Sequence, residues 1–163
     1  HVRSRRQRQM CIRDRAQNLD YIDIARNEGA EHVWGGERLE RPTPGHYMSP
    51  ALFLARPEHR VAREEIFGPV ACVLRADDYE HALALANDTP FGLCAGICTT
   101  SLKRAMHFKR HAAVGMTMVN LPTAGVDFHV PFGGRKESSY GAREQGRYAA
   151  EFYTTVKTGY VLA

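Results

Sequence analysis

Leu19, Ile22 and Ala25 recur at helical spacing, and Gly29 stands where such a helix would stop. Glu31 to Trp34 then reads as a short strand before the Gly35-Gly36 turn. A loop rich in Pro42, Pro44, Gly45 and Pro50 leads into a second strand, Ala51 to Leu54. Val70 to Leu74 is apolar and β-branched enough to predict a strand buried on both faces. Asp77 or Asp78 is placed to cap a helix whose apolar positions are Tyr79, Ala82, Leu83 and Ala86, ended by Asn87-Asp-Thr-Pro90. Leu93 to Cys98 predicts another buried strand. Ser101 opens a helix with Leu102, Ala105 and Met106 inward, and Ala113 to Val119 predicts the next strand. A long loop carries Asn120 to Tyr140. A last helix through Tyr148, Ala149 and Phe152 precedes a final strand, Thr154 to Leu162.

Strands alternating with helices argue for an α/β fold with crossovers. The terminal strand needs a partner, because unpaired edges invite uncontrolled association. Another subunit and the home sheet are both open to it.

Composition changes this picture little. Of the 163 residues, 44% are hydrophobic and 25% charged, as in an ordinary globular domain. The longest apolar run, Gly92 to Cys98, is too short to cross a bilayer, and the basic start lacks an apolar secretory core. The expected setting is the cytoplasm, with no membrane partner. The net charge of +4 is concentrated: residues 1–15 hold Arg3, Arg5, Arg6, Arg8, Arg13 and Arg15 against Asp14 alone. Without them 16 basic residues face 17 acidic ones, so nucleic-acid binding would rest on this tail and is not expected. Residues 1–15 read as a solvated or disordered tail, or as non-native sequence. Cys11, Cys72, Cys94 and Cys98 have neither disulfide-framework nor zinc spacing, and the last three read as small buried hydrophobes. His107 and His111, four apart, read as a solvated helix face; no metal is expected.

Five segments occur in a telling order: Glu64-Glu-Ile-Phe-Gly-Pro-Val70, Asn87-Asp-Thr-Pro-Phe-Gly-Leu93, Pro131-Phe-Gly-Gly-Arg-Lys136, Arg143-Glu-Gln-Gly146 and Val156-Lys-Thr158. Together they resemble the aldehyde dehydrogenase superfamily, from about Ala16 to the end. The resemblance implies the C-terminal part of that family's α/β catalytic domain over residues 16–153. It also implies an oligomerisation strand over 154–163 that joins a homo-oligomer, dimer or tetramer. Within the superfamily, Asn120-Leu-Pro-Thr-Ala-Gly-Val-Asp-Phe-His-Val-Pro131 followed by Ser138-Ser-Tyr-Gly141 looks like the 2-oxoglutarate semialdehyde (2,5-dioxopentanoate) dehydrogenases.

By the same resemblance, Glu65 accepts hydrogen bonds from the nicotinamide-ribose hydroxyls. An ionised carboxylate suits a vicinal diol because it only accepts. Phe67 supplies an apolar wall beside the nicotinamide of NAD or NADP. Phe132 and Phe128 line the tunnel for a small-molecule aldehyde, with ordinary core packing as the alternative for all three phenylalanines. Gly133-Gly134 permit a backbone approach that a Cβ would block. Glu144 aligns with a glutamate credited with relaying protons; a helix-start carboxylate is the other reading. Ser138-Ser139, where the family has Ser-Gly, and Ala142, an apparent insertion, depart from the pattern around it.

The family mechanism uses a cysteine thiolate that attacks the aldehyde, hydride transfer to the cofactor, and hydrolysis of the resulting thioester. None of Cys72, Cys94 and Cys98 stands in the family's nucleophile context, so the nucleophile is expected upstream and this chain alone is expected to be inactive. Arg135 or His129 would suit a carboxylate on the substrate. A non-catalytic fragment acting through subunit association is the alternative.

Overall fold

In the computed structural model, which describes residues 2–162 and side chains from residue 11 onward, the chain opens with helix α1 (Val2–Asn27). Asn18, Ile22 and Ala25 are its buried face, at helical spacing. The helix ends at Gly29, whose φ of +84° is the left-handed conformation that favours glycine; the Gly29 N–H donates to the Arg26 carbonyl and the Ala30 N–H to that of Ala25. The segment expected as a solvated or disordered tail is continuous with this helix from Val2 onward.

Two compact units divide at Ala76/Asp77. In the first, β1 (Glu31–Gly35) pairs antiparallel with β4 (Ala51–Ala55), which pairs parallel with β5 (Val70–Leu74). A two-residue ribbon, β2 (Arg38–Leu39) with β3 (Tyr47–Met48), fills the loop before β4. One turn of helix, α2 (Arg60–Arg63), makes the crossover from β4 to β5. Ile22 and Phe53, 2% and 0% exposed, meet Val61 and Ile66 in the core. Each such buried side chain contributes roughly 1.5–3 kcal/mol.

In the second unit, α3 (Tyr79–Asn87) is capped by the Asp78 carboxylate, which accepts from the His81 N–H at 2.7 Å. Parallel strands β6 (Cys94–Ile97) and β7 (Met116–Val119) flank α4 (Leu102–His111), whose N-cap is Ser101. Phe108, Ala112 and Val114 form the core against Leu83, Ala95 and Ile97. A short helix, α5 (Ala149–Tyr153), follows the long loop. The α/β class is as expected.

Several faces differ from expectation. β5 is covered on one face only, so Ala71 and Val73 are exposed and alternate residues face inward. In α4 the buried pair is Ala105 and Phe108, while Leu102 and Met106 are exposed; an aromatic at position 108 outcompetes the smaller offset stripe. On α3, Ala82 and Ala86 are exposed, and Leu83 and Leu85 are half-buried. Cys98 is exposed and Cys94 half-buried; burial pushes the thiol pKa of half-buried Cys72 up. The strand expected over 154–162 is not formed: these residues join no ladder among the described residues and are exposed throughout.

Candidate cofactor and substrate site

The segment from Glu64 to Gly68 joins α2 to β5 without regular secondary structure. Its even positions face α1. The Glu64 carboxylate takes Arg60 Nε at 2.8 Å and Nη2 at 3.0 Å, and accepts from the Tyr21 hydroxyl at 2.5 Å. Arg60, then Tyr21, hold its pKa down to about 2. Ile66, 7% exposed, plugs the core, and its carbonyl accepts from Gln17 Nε2 at 3.0 Å. Gly68 lies against Asn18 so closely that a Cβ would sit 2.1 Å from Asn18 Oδ1.

The odd positions face outward. Glu65 is exposed and has no hydrogen bond or ion pair among the described residues. Phe67 is 84% exposed with φ of +57°, a disfavoured conformation for a bulky residue. Of the paired glutamates, therefore, Glu64 is committed to the fold and Glu65 is left free with an aromatic two positions on. An acceptor-only carboxylate beside an open ring fits a ribose diol and the flat base attached to it.

In the second unit three sequence motifs interlock. Gly92 accepts at its carbonyl from the Gly115 and Arg135 N–H groups, both at 2.9 Å, and its own N–H donates to Ser138 Oγ at 2.9 Å. Lys136 Nζ donates to the Asn87 and Thr89 carbonyls at 2.7 and 2.8 Å, satisfying the end of α3. Asn87 in turn accepts from the Ala113 N–H and donates to the His111 carbonyl. Arg143 Nη1 reaches the Gly134 carbonyl at 2.5 Å. Close approach explains the glycines: a Cβ on Gly115 would meet the Gly133 carbonyl oxygen at 1.9 Å.

This scaffold brings together the predicted substrate and relay residues. Phe132 and Glu144 exchange both backbone hydrogen bonds, at 2.7 and 2.9 Å, and the Gly146 N–H donates to the Phe128 carbonyl at 3.3 Å. Phe132 is half-buried, and so is Glu144, which is not the buried carboxylate a relay was expected to need. Phe128 is 84% exposed, its ring edge-on to His129. Arg135 is exposed. His107 stacks on His111 at 4.1 Å and shares a hydrogen bond with Tyr79.

Residues that sequence reasoning missed are those that hold the others. Lys136 and Arg143 were legible only as motif members, and Gln17 and Asn18 not at all. The available signal was a polar residue, Asn18, four positions before Ile22 on the apolar stripe of α1.

The fold and these sites define an α/β segment that presents a carboxylate–aromatic pair on one unit and an aromatic-bearing loop on the other. The chain belongs to the aldehyde dehydrogenase family, whose description matches residues 11–159. It is 42% identical over 88% of its length to the alpha-ketoglutaric semialdehyde dehydrogenase of Bacillus subtilis strain 168, covering 30% of that protein. It is 44% identical over 87% of its length to the alpha-ketoglutarate semialdehyde dehydrogenase of Haloferax volcanii, again covering 30%. It also superposes on the crystal structure of an NAD-dependent aldehyde dehydrogenase from Sinorhizobium meliloti. There the TM-score is 0.81 and the identity 36%, over 88% of this chain and 28% of that one. The chain thus spans about 30% of the length of the curated relatives it matches. No helix among the described residues is long and apolar enough to cross a membrane.

Proposed function

We propose that this chain supplies the C-terminal part of an NAD(P)-dependent aldehyde dehydrogenase that oxidises 2-oxoglutarate semialdehyde to the dicarboxylate. The observation that carries the reading is the outward pair: Glu65 without a partner and Phe67 exposed, on a loop whose other residues are tied down. Glu65 accepts from the ribose hydroxyls and fixes the sugar. Phe67 covers one side of the reacting ring and keeps water from it. A nicotinamide cofactor held there would supply the hydride acceptor. Phe132 and Phe128 wall the aldehyde. Arg135 and His129 offer donors to the substrate's carboxylate, and Glu144, joined to Phe132 through the backbone, is the carboxylate assigned to proton relay. The attacking thiolate comes from outside this sequence, because burial disfavours the Cys72 thiolate and none of Cys72, Cys94 and Cys98 stands in the family's nucleophile context. The extended residues 154–162, with Val156, Tyr160, Val161 and Leu162 exposed, dock on a partner subunit.

The names of the Bacillus and Haloferax relatives support the substrate, and the Sinorhizobium structure's title supports the cofactor. The test has two parts. The 163-residue chain, given semialdehyde with NAD or NADP, should produce no reduced cofactor; turnover would refute an external nucleophile. A chimera carrying residues 11–159 in the Bacillus relative should be active. There, Glu65→Gln should raise the cofactor KM about tenfold, the loss of a charge-assisted hydrogen bond. An unchanged KM would remove Glu65 from the cofactor site. Arg135→Met and His129→Ala should raise KM for the semialdehyde but not for a neutral aldehyde.

A further inference from the structure

We infer that Gln17, on α1, is a positioning residue that locks the peptide plane between Ile66 and Phe67 and thereby aims Glu65 and Phe67; this rests on reading those two residues as cofactor contacts. The Gln17 side-chain amide donates to the Ile66 carbonyl at 3.0 Å across 49 residues of sequence. That carbonyl and the Phe67 N–H share one rigid plane. Its orientation is set jointly by ψ of Ile66 and φ of Phe67, so gripping the oxygen grips the rotation that places the ring.

The grip is needed because Phe67 sits at φ of +57°. A bulky L-residue relaxes from there to negative φ whenever the preceding peptide is free to turn over. Nothing on the ring side opposes this, since Phe67 is 84% exposed. The ends of the loop are held separately, Glu64 by Tyr21 and Arg60, and Gly68 by contact with Asn18. Those anchors fix where the loop runs, but neither touches the central peptide. Gln17 is the residue among those described whose side chain does so. It is half-buried on the side of α1 that faces the loop, while its neighbours Asn18 and Tyr21 serve the two ends. Three consecutive contacts from one helix thus span five loop residues.

The test uses the chain itself and no cofactor. A glutamate-specific protease cleaves after Glu64 and Glu65 only when the loop leaves its seat. Gln17→Met, which keeps the bulk and removes the donor, should raise that cleavage rate about fivefold, in keeping with loss of one hydrogen bond. Cleavage after Glu31, Glu58 and Glu151 should stay within twofold. Gln17→Lys, which restores a donor, should return the loop rate to that of the parent. A crystal structure of Gln17→Met should show Phe67 at negative φ. If Gln17→Met does not fold, Gln17→Leu removes the donor at similar size without adding a charge or a cleavage site and is read the same way. Acceleration in step at Glu31 and Glu58, or an unchanged loop rate, overturns the proposal, as does failure of Gln17→Lys to rescue. Because no cofactor is present, a negative result here is separate from a negative Glu65→Gln result.

Discussion

The loop at 64–68 and the loop at 128–146 present side chains in opposite ways. In the first, side chains do the holding: a guanidinium, a phenol and two amides on neighbouring helices grip every second residue, and the alternate ones stand free. In the second, backbone contacts do most of the holding, with Arg143 as a side-chain clamp. Phe132 is fixed by a two-bond exchange with Glu144, the Gly133 carbonyl lies against Gly115, and Arg143 Nη1 donates to the Gly134 carbonyl. Backbone-on-backbone contact is rigid, because a main-chain oxygen cannot rotate aside. Contact through side-chain ends is adjustable. The 64–68 loop is therefore the part of the molecule that can tolerate a steric insult, and the 128–146 loop is the part that cannot.

Adding a methyl group to each loop sharpens that contrast. Gly115→Ala places a Cβ 1.9 Å from a main-chain oxygen, so the whole Gly133-Gly134 ribbon must shift. The expected loss is about 3 kcal/mol, the upper end for overpacking, seen as a lower urea midpoint. Removing the Arg143 guanidinium comes next. Arg143→Met deletes a charged hydrogen bond to the Gly134 carbonyl and should cost about 2 kcal/mol. In the chimera it should also raise KM for the aldehyde, leaving the cofactor KM alone. Gly68→Ala meets only the end of Asn18, at 2.1 Å, and should cost about 1 kcal/mol, with the loss reversed in the Asn18→Ala background. Equal costs for Gly115→Ala and Gly68→Ala would dissolve the distinction between the two loops.

Much of this was legible beforehand, and the misses have a common cause. Local signals worked where the competing forces are local: Gly29 at the end of α1, Asp78 and Ser101 as N-caps, and the extents of β4 and β5. They failed where a choice depends on what lies across the fold. Val70 to Leu74 has the composition of a doubly covered strand, yet it is covered on one face only, and Leu102 fits a helical stripe that Phe108 displaces. Motif spacing singled out Glu65, Phe67 and Phe132, but not the residues that tie their loops down. Gln17 lies 49 positions from the carbonyl it holds, and no periodicity reports a single long-range amide. Lys136 and Arg143 stand inside recognised motifs, whose order showed that they matter without showing that they bind backbone.

The adjustable loop also has a titratable anchor, which gives the mildest of these perturbations. Glu64 is held near a pKa of 2 against an ordinary value of 4.5, first by Arg60 and then by Tyr21. A carboxylate whose pKa falls on folding stabilises the folded form at any pH above its unfolded value, and that contribution disappears as pH falls through the folded value. Comparing the parent with Glu64→Gln should therefore give a constant difference in urea midpoint above about pH 4.5. The difference should shrink from there and vanish near pH 2. Because the Arg60–Glu64 pair is 48% and 40% exposed, its effect should be small and should weaken with added salt. Tyr21→Phe removes the lesser of the two restraints, so its pH curve should keep the same direction with a narrower window. A difference that instead grew as the solution was acidified would show that Glu64 is protonated in the folded loop. In that case Arg60 would be holding a neutral group, and the split between an anchored Glu64 and a free Glu65 would no longer stand.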